Sequence, residues 1–253
     1  FNIDGFRCDM AHLVPLDFWQ AARTNCDMIK PLFWLAECEN ANYHPTFDAS
    51  YAWDWMHMSD KLNQGQVAIN EVYNVLEGYV HYPSGALKLF FTSNHDENSW
   101  NGTEYEKYGI AAKPWAVFTH TWKGLPLIYS GQELPNHQRL QFFDKDCIAW
   151  GNKPALHHFY KILSRCRKQY PALINGANYN LPTQSNRVMA YLRYDASNVL
   201  LIVLNLSNEI QKISFSHELL VGEFINVFSG LAFSFDKEVS FELMPGDHFI
   251  YVK

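Results

Sequence analysis

Three acidic residues stand where short apolar segments of the sequence end. Asp9 closes the segment 5–9, Glu37 directly follows the run 33–36, and Asp96 comes shortly after the run 89–92. If the three carboxyl groups meet, one can attack or stabilise a cationic carbon while a second transfers the proton of the leaving group. This division of roles, with negative charge beside an oxocarbenium-like transition state, is the chemistry of glycoside hydrolysis.

The neighbouring residues in the sequence predict an ionised carboxylate at Asp9 and a protonated carboxyl group at Glu37. Arg7 and Asp9 are two positions apart in a predicted strand, so both side chains point to the same side. We expect the cation to lower the pKa of Asp9 and keep it ionised, as a nucleophile requires. The bulky apolar run before Glu37 predicts a desolvated carboxyl that keeps its proton, as a general acid requires. Taken singly, the Arg7–Asp9 pair also fits a structural ion pair, Glu37 a helix N-terminal carboxylate, and residues 94–96 a capping cluster.

The first part of the chain must supply the elements that bring these residues together. Apolar runs at 33–36, 89–92 and 125–129, with a weaker candidate at 47–50, read as buried strands, and helices are predicted over 16–28, 59–79, 106–122 and 154–167. Strands that alternate with helices indicate βαβ units and a parallel α/β sheet or barrel. Because the carboxyl ends of parallel strands share one edge, the predicted acidic residues converge there.

The sequence changes character after about residue 172. Short β-type runs follow at 187–194, 199–206, 210–215, 224–228, 239–243 and 248–252, separated by turn-forming residues. Regular short strands without helices between them are typical of a small antiparallel β-sandwich. We therefore predict two domains, an α/β part over 1–172 and a β-sandwich over 173–253.

The composition excludes several classes of partner. Apolar residues make up 48% and charged residues 18% of the chain, which is typical of a globular protein with a sizeable core. The net charge of −6 argues against nucleic acid, whose partners concentrate Lys and Arg. The longest aliphatic stretch, 199–204, is far shorter than the ~18 residues that cross a membrane. The five cysteines are scattered without a C-x-x-C pair, so no metal site is predicted.

Four segments of the sequence resemble a known enzyme family. The stretches GFRCD at 5–9, LAE at 35–37 and FTSNHD at 91–96 resemble, in order and spacing, three signature segments of the α-amylase family of glycoside hydrolases. The stretch GLPLIYSGQE at 124–133 is similar to that family's last barrel strand and the following loop. The C-terminal β region also fits the small sandwich that usually follows the barrel.

The resemblance implies a retaining mechanism on α-linked glucosides. Asp9 would be the nucleophile, Glu37 the acid/base, and Asp96 the residue that binds sugar hydroxyls and favours a distorted ring. Arg7 would orient and ionise Asp9, and His95 would bind hydroxyls of the same sugar. Further substrate-binding candidates are the residue three positions after the nucleophile, one residue of the third signature segment, and aromatic residues that follow the strands: His12, Asn94, Tyr43, Trp53, Trp55 and Trp100.

The resemblance also implies that part of the barrel is missing. The matched segments belong to strands four to eight of a (β/α)8 TIM barrel, and a full barrel takes about 250 residues. We expect this chain to be the C-terminal portion of a longer enzyme, with the missing N-terminal half as its partner. We expect no cofactor in this chain and place any calcium in that N-terminal part.

Several activities remain open at this point. The first expectation is hydrolysis of α-1,4 bonds in starch- or maltodextrin-type glucans, with an α-glucan oligo- or polysaccharide as the partner. A transglycosylase, or an isomerase acting on sucrose or trehalose, would use the same intermediate with a sugar hydroxyl as acceptor. A non-catalytic carbohydrate-binding barrel is the alternative outside enzyme chemistry. The family often carries Lys-His three and four residues after the nucleophile, and His12-Leu13 here leaves the acceptor preference open.

Overall fold

A parallel sheet forms the first part of the fold. The structure is a computed structural model, and it describes residues 1–151 and 153–253. Its five strands run parallel in the order β1-β2-β3-β4-β5. Their bounds are β1 (Gly5–Cys8), β2 (Phe33–Ala36), β3 (Ala49–Tyr51), β4 (Leu87–Phe90) and β5 (Leu125–Pro126). The predicted parallel sheet is confirmed. β5 is shorter than the predicted 125–129.

Helices connect these strands and follow the last one. They are α1 (Leu16–Asp27), α2 (Trp53–Asn63), α3 (Ile69–Gly78), α4 (His95–Trp100), α5 (Glu104–Tyr108), α6 (Ala112–Thr121), α7 (His157–Gln169) and α8 (Ala172–Asn175). The single helix predicted over 59–79 is wrong, because α2 ends before Gly65 and α3 begins after it. Gly65 has a φ of 75°, a left-handed conformation that glycine adopts readily beyond a helix end. The helix predicted over 106–122 likewise divides into α5 and α6.

The second part of the chain is antiparallel, as predicted. A six-stranded sheet has the order β11-β10-β13-β8-β7-β6, and β12 pairs with β9 in a separate two-stranded sheet. The strands are β6 (Ala177–Asn180), β7 (Val188–Tyr194), β8 (Val199–Asn205), β9 (Gln211–Ser216), β10 (Gly222–Asn226), β11 (Ala232–Phe235), β12 (Glu238–Leu243) and β13 (His248–Val252). β6 and β11 are not among the predicted strands, because their side chains are mostly exposed and their sequences therefore lack an apolar run.

Two large apolar clusters hold the molecule together. In the first, the rings of Trp55 and Phe118 stack at 5.0 Å, and the same cluster continues to Tyr191 and Ile202 of the antiparallel sheet. The second cluster fills the space beside β7 and β8 and includes Phe224. Since the first cluster draws on both parts of the chain, burial of apolar surface fixes the α/β part against the antiparallel sheet.

One flank of the parallel sheet remains open. β1 is an edge strand, and every residue of α1 keeps at least partial exposure. Large apolar side chains are exposed along this flank, including Leu13, Phe18 and Ile29. Among the helices of residues 1–151 and 153–253, none is both long enough and apolar enough to span a membrane.

Candidate active site

A cavity of about 620 Å³ lies at the carboxyl ends of the parallel strands. Most of the side chains that the sequence singled out line it together: Asp9, His12, Glu37, Trp53, His95 and Asp96. They come from the segments that follow β1, β2, β3 and β4. The parallel sheet therefore brings residues that are far apart in sequence to one hollow, as expected for this class of fold.

Arg7 joins two of the acidic residues. Its Nη1 forms an ion pair with Asp9, and its Nη2 lies 2.8 Å from Oε1 of Glu37. The hydrogen bond from Arg7 lowers the pKa of Asp9, the direction predicted from the sequence. Asp9 has a side chain that is 75% exposed, whereas that of Glu37 is 10% exposed. One guanidinium thus sets the spacing of an accessible carboxylate and a buried one.

A sharp turn after β1 fixes the position of Glu37. Met10 has a φ of 38°, a left-handed conformation that is uncommon outside glycine. The turn directs the Met10 N–H toward Glu37, whose Oε2 accepts a hydrogen bond of 2.8 Å. With Oε1 held by Arg7, both oxygens of the Glu37 carboxyl group have partners on the first strand and its turn. The contact with a guanidinium was absent from the sequence expectation, which considered only the apolar run before Glu37.

The third acidic residue stands in the first turn of α4. Asp96 is partly exposed and lies beside His95, whose Nε2 is 3.4 Å from Oδ2 of Asp96. Asn94 is 1% exposed and caps the helix, because its Oδ1 accepts hydrogen bonds from the backbone N–H groups of Asp96 and Glu97 at 3.0 and 2.8 Å. We therefore assign Asn94 to capping rather than to sugar binding. Asn94 orients Asp96 and lies outside the cavity lining.

Trp53 supplies an aromatic wall. Its ring stacks on that of Tyr51 with centroids 5.7 Å apart and planes inclined by 18°. The hydroxyl of Tyr51 accepts a hydrogen bond of 3.3 Å from Nε of Arg7. The aromatic wall is thereby tied to the same guanidinium that holds Asp9 and Glu37.

The other predicted aromatic platforms lie elsewhere. Trp55 is fully buried and Tyr43 is 8% exposed, so both pack in the core, and neither lines the cavity. Trp100 is exposed but lies outside the cavity lining, with its ring 5.0 Å from that of Phe142, which does line it. The sequence could not separate these cases, because aromatic residues suit a core and a sugar platform equally.

Several lining residues were absent from the sequence analysis: Met10, Cys38, Glu39, Asn40 and Phe142. Glu39 had a signal, since it is a further carboxylate in the segment that follows β2, two positions after Glu37. Phe142 had none, because it lies on a long loop after β5. Within residues 1–151 and 153–253, no group of three or more His, Cys, Asp or Glu side chains is arranged to hold a metal ion.

The sequence of the chain is similar to those of known proteins that act on α-glucans by name. No protein-family model matches the chain. It is 31% identical over 222 residues to the α-amylase MalA of Haloarcula japonica, a match that covers 82% of this chain and 32% of that protein. It is 27% identical to the α-1,4-glucan:maltose-1-phosphate maltosyltransferase of Picrophilus torridus, over 79% of this chain and 33% of that protein. The chain thus spans about a third of the length of these curated relatives.

A solved structure agrees over nearly the whole chain. The maltogenic α-amylase AmyB of Thermotoga neapolitana superposes with a TM-score of 0.88 at 26% identity, covering 99% of this chain and 61% of that one. Agreement of fold over this length, together with the sequence relatives, supports the resemblance seen in the signature segments. The chain therefore belongs to the α-amylase family, and it matches a C-terminal portion of that family's members.

Proposed function

We propose that the protein to which this chain belongs acts on α-glucosidic bonds of starch- or maltodextrin-type glucans with retention of configuration. Asp9 is the nucleophile, Glu37 the acid/base and Asp96 the residue that binds hydroxyls of the distorted sugar. Arg7 orients Asp9, His95 binds hydroxyls of the same sugar, and His12 and Trp53 contact neighbouring sugars. The observation that carries the proposal is the cavity in which Asp9, Glu37 and Asp96 meet.

The proposed reaction proceeds in two displacements. In the first, a carboxylate oxygen of Asp9 forms a bond to the anomeric carbon as the glycosidic C–O bond breaks, and Glu37 gives its proton to the leaving oxygen. In the second, Glu37 takes a proton from water, whose oxygen attacks the anomeric carbon and releases Asp9. The ion pair with Arg7 supports the ionised state that Asp9 needs before the first step.

The placement of Glu37 is the feature that most constrains the proposal. Arg7 and the Met10 N–H bind the two oxygens of its carboxyl group, so Glu37 is held beside the turn that carries Asp9. When Asp9 becomes esterified it loses its charge and its ion pair with Arg7. Arg7 Nη2, which binds Glu37 independently of Asp9, continues to orient Glu37 in the second step, in which Glu37 acts as a base.

The acceptor of the glycosyl group defines the alternatives. MalA is named as an α-amylase, and the Picrophilus torridus relative is named as a maltosyltransferase, so both hydrolysis and transfer on α-1,4-glucans have support. We favour hydrolysis, because the chain is more similar to MalA, at 31% identity, than to the maltosyltransferase, at 27%. An isomerase acting on sucrose or trehalose, or a carbohydrate-binding barrel without catalysis, is the further alternative.

We also propose how the chain fits a larger enzyme. The five parallel strands correspond to strands four to eight of a (β/α)8 barrel, and residues 173–253 form a C-terminal β-sandwich domain after the 1–172 part. The exposed edge of β1 and the apolar surface of α1 support a covering N-terminal half of the barrel. The proposed chemistry uses side chains of this chain, and any calcium belongs to that N-terminal half.

Product analysis of the complete protein tests the proposal. We expect maltoheptaose to be converted to shorter maltooligosaccharides, with maltose, trehalose and sucrose as comparison substrates. Asp9→Asn should reduce kcat by at least about 1,000-fold, because the amide is a poor nucleophile. Larger oligosaccharides as the main products would indicate transfer instead. Turnover that is unchanged in Asp9→Asn, or binding of maltoheptaose without any turnover, would contradict the proposal.

A further inference from the structure

Glu39 is a shielded carboxylate at the edge of the cavity. Its Oε1 accepts a hydrogen bond of 2.7 Å from the hydroxyl of Tyr79 and lies 3.2 Å from Nζ of Lys88. Its Oε2 accepts a hydrogen bond of 2.7 Å from the backbone N–H of Asp54. Burial raises the pKa of Glu39, and only 18% of its side chain is exposed. Both carboxylate oxygens are therefore engaged by the protein itself rather than presented to a ligand.

The partner of Glu39 is held just as firmly. Lys88 is 5% exposed, and its Nζ donates to Oγ of Ser50 at 2.9 Å. The same ammonium group lies 4.6 and 4.7 Å from the ring centroids of Tyr79 and Tyr82. A buried ion pair is a weak source of stability, since desolvation offsets most of the attraction. The many contacts of the Glu39–Lys88 pair therefore indicate that its role is to hold the surrounding segments in fixed positions.

The contacts of Glu39 join three segments around the cavity. Glu39 lies two residues after Glu37 on the segment that follows β2. Asp54, whose N–H it binds, directly follows Trp53 at the start of α2. Lys88 belongs to β4, which leads to His95 and Asp96. One carboxylate thus links the segment of the acid/base, the aromatic wall and the strand that carries the third acidic residue.

We propose that Glu39 is a positioning residue, which together with Lys88 holds Glu37 in register with Trp53 so that the proton of Glu37 reaches the leaving oxygen. This inference rests on the proposed function. The sugar stacked on Trp53 and the carboxyl group of Glu37 must keep a fixed separation during proton transfer, and a misplacement of about 1 Å can cost roughly 100-fold in rate. Glu39 contributes through this separation and does not touch the reacting atoms.

Two substrates separate this role from a general loss of structure. A maltooligosaccharide needs its leaving oxygen protonated, whereas fluoride leaves α-maltosyl fluoride as an anion without a proton. In the complete protein, Glu39→Gln should lower kcat/KM on maltoheptaose by about 10–100-fold and change kcat/KM on α-maltosyl fluoride by less than about threefold, because kcat/KM reports the first displacement and not the base-assisted second one that both substrates share. The amide replaces one acceptor oxygen by a donor, so Tyr79 or the Asp54 N–H loses its partner and Lys88 loses its counter-charge.

Two further variants complete the test. Tyr79→Phe removes a single hydrogen bond to Glu39 and leaves the Lys88 pair in place, so it should show the same substrate-selective loss at a smaller size, about 3–10-fold. Glu218→Gln, in an exposed ion pair with Lys237 in the antiparallel part, should leave both substrates unaffected. If Glu39→Gln does not fold, Tyr79→Phe decides.

The outcomes distinguish failure of the positioning role of Glu39 from failure of the proposed function. An equal fall on both substrates in Glu39→Gln and Tyr79→Phe would overturn the positioning role and indicate a structural defect. No fall on either substrate would overturn it as well. If the wild-type protein turns over neither substrate, the proposed function fails first and the positioning role falls with it.

Discussion

At the scale of single residues, the site depends on how one guanidinium is shared. Arg7 contacts Asp9 through one nitrogen, Glu37 through a second and Tyr51 through a third. The pKa of Asp9 is lowered chiefly by the hydrogen bond from Arg7. A lowered pKa keeps Asp9 ionised to lower pH, so we expect Arg7 to extend the proposed activity to more acidic pH.

Removing this cation gives a prediction with a defined sign. In Arg7→Met the pKa of Asp9 rises, so protonation inactivates the nucleophile at a higher pH than in the wild type. We expect the acid limb of the kcat/KM profile of the complete protein to move to higher pH, with activity also falling at the optimum. Arg7→Lys keeps a charge but not the bridge, and should give a smaller displacement. An acid limb that stays in place in Arg7→Met would show that the ion pair does not set the ionisation of Asp9.

The sequence predicts correctly that Asp9, Glu37 and Asp96 lie near one another. Each of them follows a parallel strand, and the carboxyl ends of parallel strands lie at the same edge of the sheet. The sequence could not separate Trp55 and Tyr43, which are buried, from Trp53, which lines the cavity, since burial depends on which side of a helix or turn meets the core. Those orientations are decided by packing between distant elements and not by local spacing.

At the scale of elements, one turn explains why the single helix expected over 59–79 is wrong. The helix expected over 59–79 is interrupted at Gly65, whose left-handed conformation ends α2. The interruption allows α3 to begin anew at Ile69 and to bury its own face, which includes Val72 and Leu76. Apolar periodicity is retained across the break, which explains why the pattern alone did not reveal it.

The open flank formed by β1 and α1 leads to a prediction about association. Phe18 is 55% exposed and Ile29 is 89% exposed, beside an edge strand with unpaired backbone groups. We expect the isolated chain to self-associate in sedimentation experiments. The double substitution Phe18→Lys/Ile29→Lys should reduce this association, because charged side chains oppose contact between flanks.

A matched control tests whether the flank itself is responsible. Leu231 is 61% exposed and lies in the antiparallel part of the chain, so Leu231→Lys adds a charge at a comparable apolar site away from β1. It should leave the association of the isolated chain unchanged. An isolated chain that stays monomeric, or equal effects of the flank and control substitutions, would argue against an open barrel edge.

At the scale of the whole molecule, the site depends on contacts that span the sheet. The parallel strands bring the carboxylates together, the Arg7 bridge sets their spacing, and the Glu39–Lys88 pair ties the segments behind them. The apolar cluster that includes Trp55 and Tyr191 fixes the antiparallel sheet against the parallel one. These long-range arrangements determine the function that we propose for the cavity.

Covalent trapping in the complete protein tests the assignment of the nucleophile directly. A fluorinated glycosyl fluoride, 5-fluoro-α-D-glucosyl fluoride, reacts with a retaining enzyme but slows release of the intermediate, so peptide mass mapping can locate the adduct. We expect one adduct, on Asp9, and none in Asp9→Asn. An adduct on another carboxylate, with Asp9 unmodified, would contradict the mechanism proposed for this cavity.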